Sequence, residues 1–214
     1  MSPTKLSASL VLLVGLLTAP LFAEETPAKP AATYTFIDSA DPAVAELAQF
    51  GFKAIEAIGG KLIQETTREL ATKETRQAVE VLHLKDLELS KPVAGKPTVT
   101  AVKRTSLMLR DLRNAPDAAD TAALQKIQEQ LSDTGSPDKM FVQKIEQPGQ
   151  PVEWRVYRPI ATTKACLACH GDPSKFHPGV KEALDRLYPL DRALDYTAQQ
   201  WRGVIRVTVA PAQK

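Results

Sequence analysis

The chain has 214 residues, 43% of them hydrophobic and 24% charged, with 27 basic and 25 acidic side chains and a formal net charge of +2. That length can bury the core of one domain, and the composition is that of a globular protein rather than a disordered or collagenous one. With charge nearly balanced and no basic stripe, the electrostatic footprint of a nucleic-acid binder is excluded.

Residues 1–23 read as a secretory signal peptide. Lys5 supplies the positive start, Leu10 to Leu17 form the apolar run, and Ala23 is a small residue at the cleavage point, followed by Glu24 and Glu25. Leu21 occupies a place where a small residue is preferred, so an uncleaved anchor is the competing reading. The run is short for a membrane span and no second one follows. The mature chain is therefore expected in the periplasm or otherwise exported, with no stable span after cleavage. Residues 24–40, with Pro27 and Pro30, read as a flexible lead-in. Residues 41–214 read as a single domain.

Asp41-Pro42 has the form of a helix start, an Asp cap followed by Pro at the first helical position. Val44, Leu47, Ala54, Ile58 and Leu62 then recur at helical spacing. Gly59-Gly60 is expected to loosen or bend this helix. Leu70, Ala78, Val81, Leu82 and Leu89 suggest a second helix or a continuation, ended by Lys91-Pro92 and Gly95-Lys96-Pro97. The pattern then changes: Val99, Ala101, Leu107 and Leu109 lie in short alternating stretches that suit strands. Asn114 to Asp117 is a turn, Ala118 to Leu131 a helix, and Gly135-Ser136-Pro137 another turn. Phe141–Glu146 and Glu153–Ile160 read as a hairpin joined at Gln147-Pro148-Gly149-Gln150. Val180–Leu187 is a helix and Val204–Val209 a last strand. Helices first and sequential strands afterwards argue for an α+β fold with an antiparallel sheet. The connection from Ala161 to Gly203 is long for a compact domain, which marks it as functional.

That connection holds the only two cysteines, Cys166 and Cys169, and His170 follows directly. Cys-x-x-Cys-His is the spacing of c-type haem attachment. Two thiols a turn apart can add to the two haem vinyl groups, and the adjacent imidazole can take one axial position on iron. Three other readings compete. A disulfide would close a very short loop and stabilise little. A thioredoxin-like pair wants a strand before it and a long helix after it, whereas Gly171, Asp172 and Pro173 follow here. A zinc site needs a fourth ligand, which His177 could offer.

Several stretches resemble one family in order and approximate spacing. They are Arg104-Thr105-Ser106-Leu107, Leu109-Arg110, Asn114 to Asp117, Tyr157-Arg158-Pro159-Ile160, Cys166 to Gly171, Tyr188 to Ala193, and Trp201-Arg202-Gly203. Together they resemble the exported, PAS-like c-type haem domains of the Tll type, from about Ala54 to Val209. The resemblance implies a small antiparallel PAS-like sheet flanked by helices, with one covalent haem c and its iron beside it. The roles it implies are electron transfer or redox and ligand sensing. In the family pattern a helix ends in Ala-Ile-x-Val-Cys, and that Cys is a distal iron ligand in some members. Here the stretch is Ala78-Val79-Glu80-Val81-Leu82, followed by His83. Leu82 cannot ligate iron. His83 can, although neighbouring helix positions point about 100° apart.

The metal-binding candidates are therefore His170 and His83, and the cofactor-binding candidates Cys166, Cys169, His170 and Arg104. Arg104 suits a haem propionate, because its planar fork matches a carboxylate. Met108 and Met140 are conceivable axial ligands but read better as packing or surface residues. Tyr157 and Trp201 either line the pocket or belong to the core. Electron transfer to a partner protein is the leading expectation, with a haem-based redox or gas sensor acting through an output partner as the alternative. A peroxidase-like site built on His83 and Arg76 has no residue that singles it out, so no catalytic residue is expected.

Overall fold

The computed structural model describes residues 31–212 except 84–86, 88 and 90. Residues 1–23, read above as a signal peptide, and the first part of the expected lead-in lie outside the described residues. Five strands form one antiparallel sheet: β1 (Thr33–Ile37), β2 (Thr98–Thr105), β3 (Phe141–Glu146), β4 (Glu153–Ala161) and β5 (Trp201–Ala210), in the order β1-β3-β4-β5-β2. The helices are α1 (Ala45–Thr72), α2 (Thr75–His83), α3 (Ala118–Thr134), the one-turn α4 (Leu167–His170) and α5 (Val180–Leu187). The α+β reading with an antiparallel sheet holds.

Side chains on β5 alternate between two helical layers, as a pleated strand requires. Ile205, Val207 and Val209 face α1, where they meet Leu47 and Ile55 along with Val99 and Val156. Val204 faces α3 and joins Ala123, Leu124, Ile127, Phe141 and Tyr157. The α1 layer sits very close: a Cβ at Gly51 would stand 2.6 Å from Val156 Cγ2, so only glycine lets the helix rest on β4. A third cluster joins α2 to α5 through Val79, Val180, Ala183 and Leu184, with Cys169, Tyr188 and Leu194 packed against it. The cysteine segment is thus fastened to the helices rather than to the sheet.

The α3 layer is secured by a buried polar network. A capping box formed by Asp117 and Asp120 starts α3. Asp120, fully buried, also accepts from Lys103 Nζ at 3.1 Å, Arg155 at 3.0 Å, Arg206 at 3.2 Å and the Tyr157 hydroxyl at 3.2 Å. One carboxylate therefore ties β2, β4 and β5 to α3. Burial and the neighbouring Asp120 charge raise the Tyr157 pKa, so its hydroxyl stays protonated as a donor.

Five details differ from the sequence expectation. Helix α1 begins at Ala45 after Val44, with no side-chain cap, rather than at Asp41-Pro42. The lead-in contains β1, which pairs with β3 from Thr33↔Glu146 to Ile37↔Val142. Gly59-Gly60 does not interrupt α1; Gly59 only brings the helix near Ile205. The break comes later, at Lys73, whose backbone is extended, and α2 ends at His83, leaving Leu89 outside it and exposed. Leu107 and Leu109 are not in a strand: β2 stops at Thr105, and the backbone leaves the sheet so that Leu109 O accepts from Arg192 N at 2.7 Å.

Candidate functional site

The connection from β4 to β5 leaves and re-enters the sheet through a clasp. Thr162 N donates to Gln200 O at 2.9 Å and Gln199 N to Thr162 O at 2.8 Å. Between them, Cys166 opens α4: Cys169 N and His170 N both donate to Cys166 O, at 3.2 and 2.9 Å. This single turn places both thiols and the imidazole on one short element. Cys166 and Cys169 are free thiols, each partly buried, so the disulfide is not formed. Burial raises the Cys169 pKa, the reverse of an activated redox thiolate, and α4 is too short for a thioredoxin-like helix. His177 is exposed, and among the described residues no three His, Cys, Asp or Glu side chains converge on a metal position. Among the described residues, then, no zinc ligand set is assembled.

His170 is held from behind. Its Nδ1 lies 2.8 Å from Ala193 O, its carbonyl accepts from Tyr196 N at 2.9 Å, and its ring meets the Tyr196 ring edge-on at 6.2 Å. Nε2 has no hydrogen-bond partner among the described residues. Burial lowers the His170 pKa well below its ordinary value, with Arg110 and Arg202 adding to the effect against the opposing Ala193 contact. These influences favour the neutral imidazole, the form that ligates metals.

Three arginines surround this turn, two of which local pattern did not single out. Arg110 is fully engaged: Nε donates to Asp191 Oδ2 at 2.9 Å, and its terminal nitrogen donates to Cys169 O and to Ala193 O. Its guanidinium also lies 5.8 Å from the Tyr188 ring centroid. Arg202 is the extra residue of a bulge, because Ile160 pairs with Gly203 and Ala161 with Trp201. Bulges re-aim side chains in this way. Arg202 donates to Met108 O at 3.0 Å and lies 5.4 Å from the Tyr196 ring. Gly203 permits the arrangement, since its φ is 140° and a Cβ would fall 2.3 Å from Thr105 O. Burial, with Arg104 and Arg110 nearby against the opposing Tyr196, presses the Arg202 pKa down to about 10. The Arg104 side chain is open to solvent, yet surrounding protein and Arg110 lower its pKa while Tyr188, Asp111 and Cys166 oppose them. Neither Arg104 nor Arg202 has a carboxylate hydrogen-bonded to it among the described residues.

The other sequence candidates separate cleanly. His83, at the end of α2, meets the Tyr188 ring edge-on at 5.0 Å, and its Nδ1 is buried without a hydrogen-bond partner. Through Tyr188 it reaches the Arg110 side of the site. Met108 is exposed, and Met140 packs on the α1 face. Tyr157 and Trp201 belong to the α3-side core. Arg76 lies on α2 near Gly179.

These features define an α+β protein with a Cys-x-x-Cys-His turn set among arginines. The chain belongs to the Tll0287-like family, whose model matches residues 39–210. The crystal structure of the cyanobacterial heme-protein Tll0287 is similar at 26% identity and a TM-score of 0.38, over 53% of this chain and 62% of that one. The match thus spans less than two thirds of that solved protein. No curated protein matches the chain.

Proposed function

We propose that this chain is an exported monohaem c-type cytochrome that transfers single electrons. Cys166 and Cys169 would hold one haem through thioethers, each S–H adding across a vinyl group so that sulfur bonds one carbon and the proton the other. His170 would ligate the iron. The observation that carries this reading is the pinned imidazole: Nδ1 is held at Ala193 O, 2.8 Å away, leaving Nε2 as the free ring nitrogen. A backbone carbonyl behind a metal-binding His fixes both the tautomer and the ring orientation.

The cations fit the same group. Haem carries two propionates, and Arg104 and Arg202 are two cations near His170 with no carboxylate hydrogen-bonded to them among the described residues. Arg104 is proposed as a propionate partner. When bound, the haem supplies a one-electron iron couple; the protein holds it, orients it and sets its charge environment. Belonging to the Tll0287-like family supports the reading, since the protein Tll0287 is described as a heme-protein. His83 is proposed as the second axial ligand. Its ring meets Tyr188 edge-on at 5.0 Å, and Tyr188 lies against Arg110, which puts His83 beside the site. Thioether attachment outside the cytoplasm and the signal-like residues 1–23 together support export. The proposed partner is a redox protein.

The test is an optical spectrum of the exported protein, ferric and ferrous, before and after carbon monoxide, with a pyridine adduct to count thioethers. Covalent haem that is low-spin and indifferent to carbon monoxide is expected. Absence of covalent haem would overturn the assignment, and ready carbon monoxide binding would replace electron transfer by sensing.

A further inference from the structure

We infer that Arg110 is a positioning residue that holds the proximal side of the haem site and sets its reduction potential, through the Ala193 carbonyl it shares with His170. The inference rests on the haem reading above. Its basis is a connected set of contacts. Ala193 O lies 2.8 Å from His170 Nδ1 and 3.3 Å from the terminal nitrogen of Arg110. The same nitrogen donates to Cys169 O, and Nε donates to Asp191, whose other oxygen accepts from Ala193 N at 2.8 Å. One guanidinium therefore clips the Cys-x-x-Cys-His turn to the segment whose carbonyl orients the histidine. The Arg110 and Asp191 side chains are 12% and 5% exposed, so water screens little of this. Only a planar fork with several donors can serve an acid and two carbonyls at once; a lysine ammonium is a single point charge on a flexible stem.

Two effects follow, with the same sign. A fixed cation beside His170 would disfavour the ferric state of an iron held there, which carries one more positive charge, and so would raise the potential. By donating to Ala193 O, Arg110 also competes for the carbonyl that accepts from His170. A carbonyl that accepts from histidine alone draws the Nδ1 proton more strongly and makes the imidazole a more basic ligand, which favours ferric iron. Removing Arg110 should therefore lower the potential by both routes. It should also loosen the ring, because Ala193 and Cys169 lose their common anchor.

The experiment uses the full holoprotein with covalent haem, as unaltered protein, Arg110→Gln and Arg110→Lys. The readouts are the midpoint potential by redox titration and the hyperfine-shifted signals of the His170 ring by proton NMR. Arg110→Gln should lose about tenfold in the reduction equilibrium, about 59 mV for one electron, with shifted or broadened His170 ring signals. Arg110→Lys should fall between the two, recovering the share due to charge and not the ring signals. If Arg110→Gln keeps the potential and the ring signals of the unaltered protein, the inference is overturned. Full rescue by Arg110→Lys overturns it as well, because charge alone would then suffice. If Arg110→Gln yields no folded protein, the lysine variant decides by the same criterion. Lack of covalent haem in the unaltered protein would instead remove the haem reading itself, and the pyridine adduct identifies that outcome separately.

Discussion

Replacing Asp120 by Asn should unfasten one face of the sheet. Its carboxylate is fully buried and faces Lys103, Arg155 and Arg206 at 3.0–3.2 Å, with the Tyr157 hydroxyl at 3.2 Å. An amide of the same size leaves those cations without their central anion and turns N–H donors towards some of them. Removing one partner from a buried ion-pair network costs about 3–5 kcal/mol. Asp117 and Glu153 still neutralise Arg155, at 2.8 and 2.5 Å, which favours the lower end of that range. For a domain of this size, about 3–5 kcal/mol lowers Tm by roughly 6–20 °C. Urea unfolding at neutral pH, with heat unfolding alongside, measures it. A loss below about 1 kcal/mol, the level of an exposed ion pair, would refute the reasoning that Asp120 holds three strands together. The haem attachment proposed above should survive the substitution, because the network lies on the α3 side of the sheet while Cys169 packs with α2 and α5.

Gly51→Ala should cost about 1–3 kcal/mol, as overpacking does, because the new methyl would stand 2.6 Å from Val156 Cγ2 on a strand that cannot retreat; denaturant midpoints compared at constant slope test this. Stability should also fall in acid. Burial would raise the Asp117 pKa, but the Asp120 amide and Arg155 outweigh it and hold the carboxyl below its ordinary value. Its contribution is therefore complete above the unfolded-state pKa of about 3.9 and disappears as pH falls through the lower folded value. Urea midpoints that stay level from pH 5 to pH 2 would contradict this.

Elements with strong local signals were legible in the sequence. The turn at Asn114 to Asp117 placed the start of α3 at Ala118, the alternation on either side of Gln147 to Gln150 gave the hairpin of β3 and β4, and α5 spans the residues expected. Strand β1 was hidden because five residues after a proline-rich stretch gain their structure only by pairing with β3, more than a hundred residues away. The same reason separates the parts of the site. The Cys-x-x-Cys-His run is contiguous and declares its chemistry locally. Arg110 and Arg202 do not, because their contacts span 59 to 94 positions. Arg202 is further disguised by the bulge, which breaks the alternation that would have assigned its face. Both arginines lie in stretches that resemble the family, which was the available signal, but a matching residue carries no role until its neighbours are known.

The two sides of the proposed haem site differ in how firmly they are specified, and this bears on its function. On the proximal side His170 is fixed by Ala193, and Ala193 by Asp191 and Arg110. On the distal side the proposed ligand sits at the very end of α2, where one edge contact with Tyr188 orients it. Leu82 and His83 are about 100° apart around that helix, so only one of their faces can front the iron. The contact of His83 with Tyr188, which in turn lies against Arg110, argues for the His83 face. On that reasoning Leu82→Cys should leave the ferric low-spin spectrum unchanged, while His83→Ala should make it high-spin and open the ferrous iron to carbon monoxide. A thiolate-type spectrum in Leu82→Cys would reverse the conclusion. It would put the Leu82 face towards the haem, where the family pattern has its cysteine, and leave this chain with an open sixth position suited to a ligand sensor rather than an electron carrier.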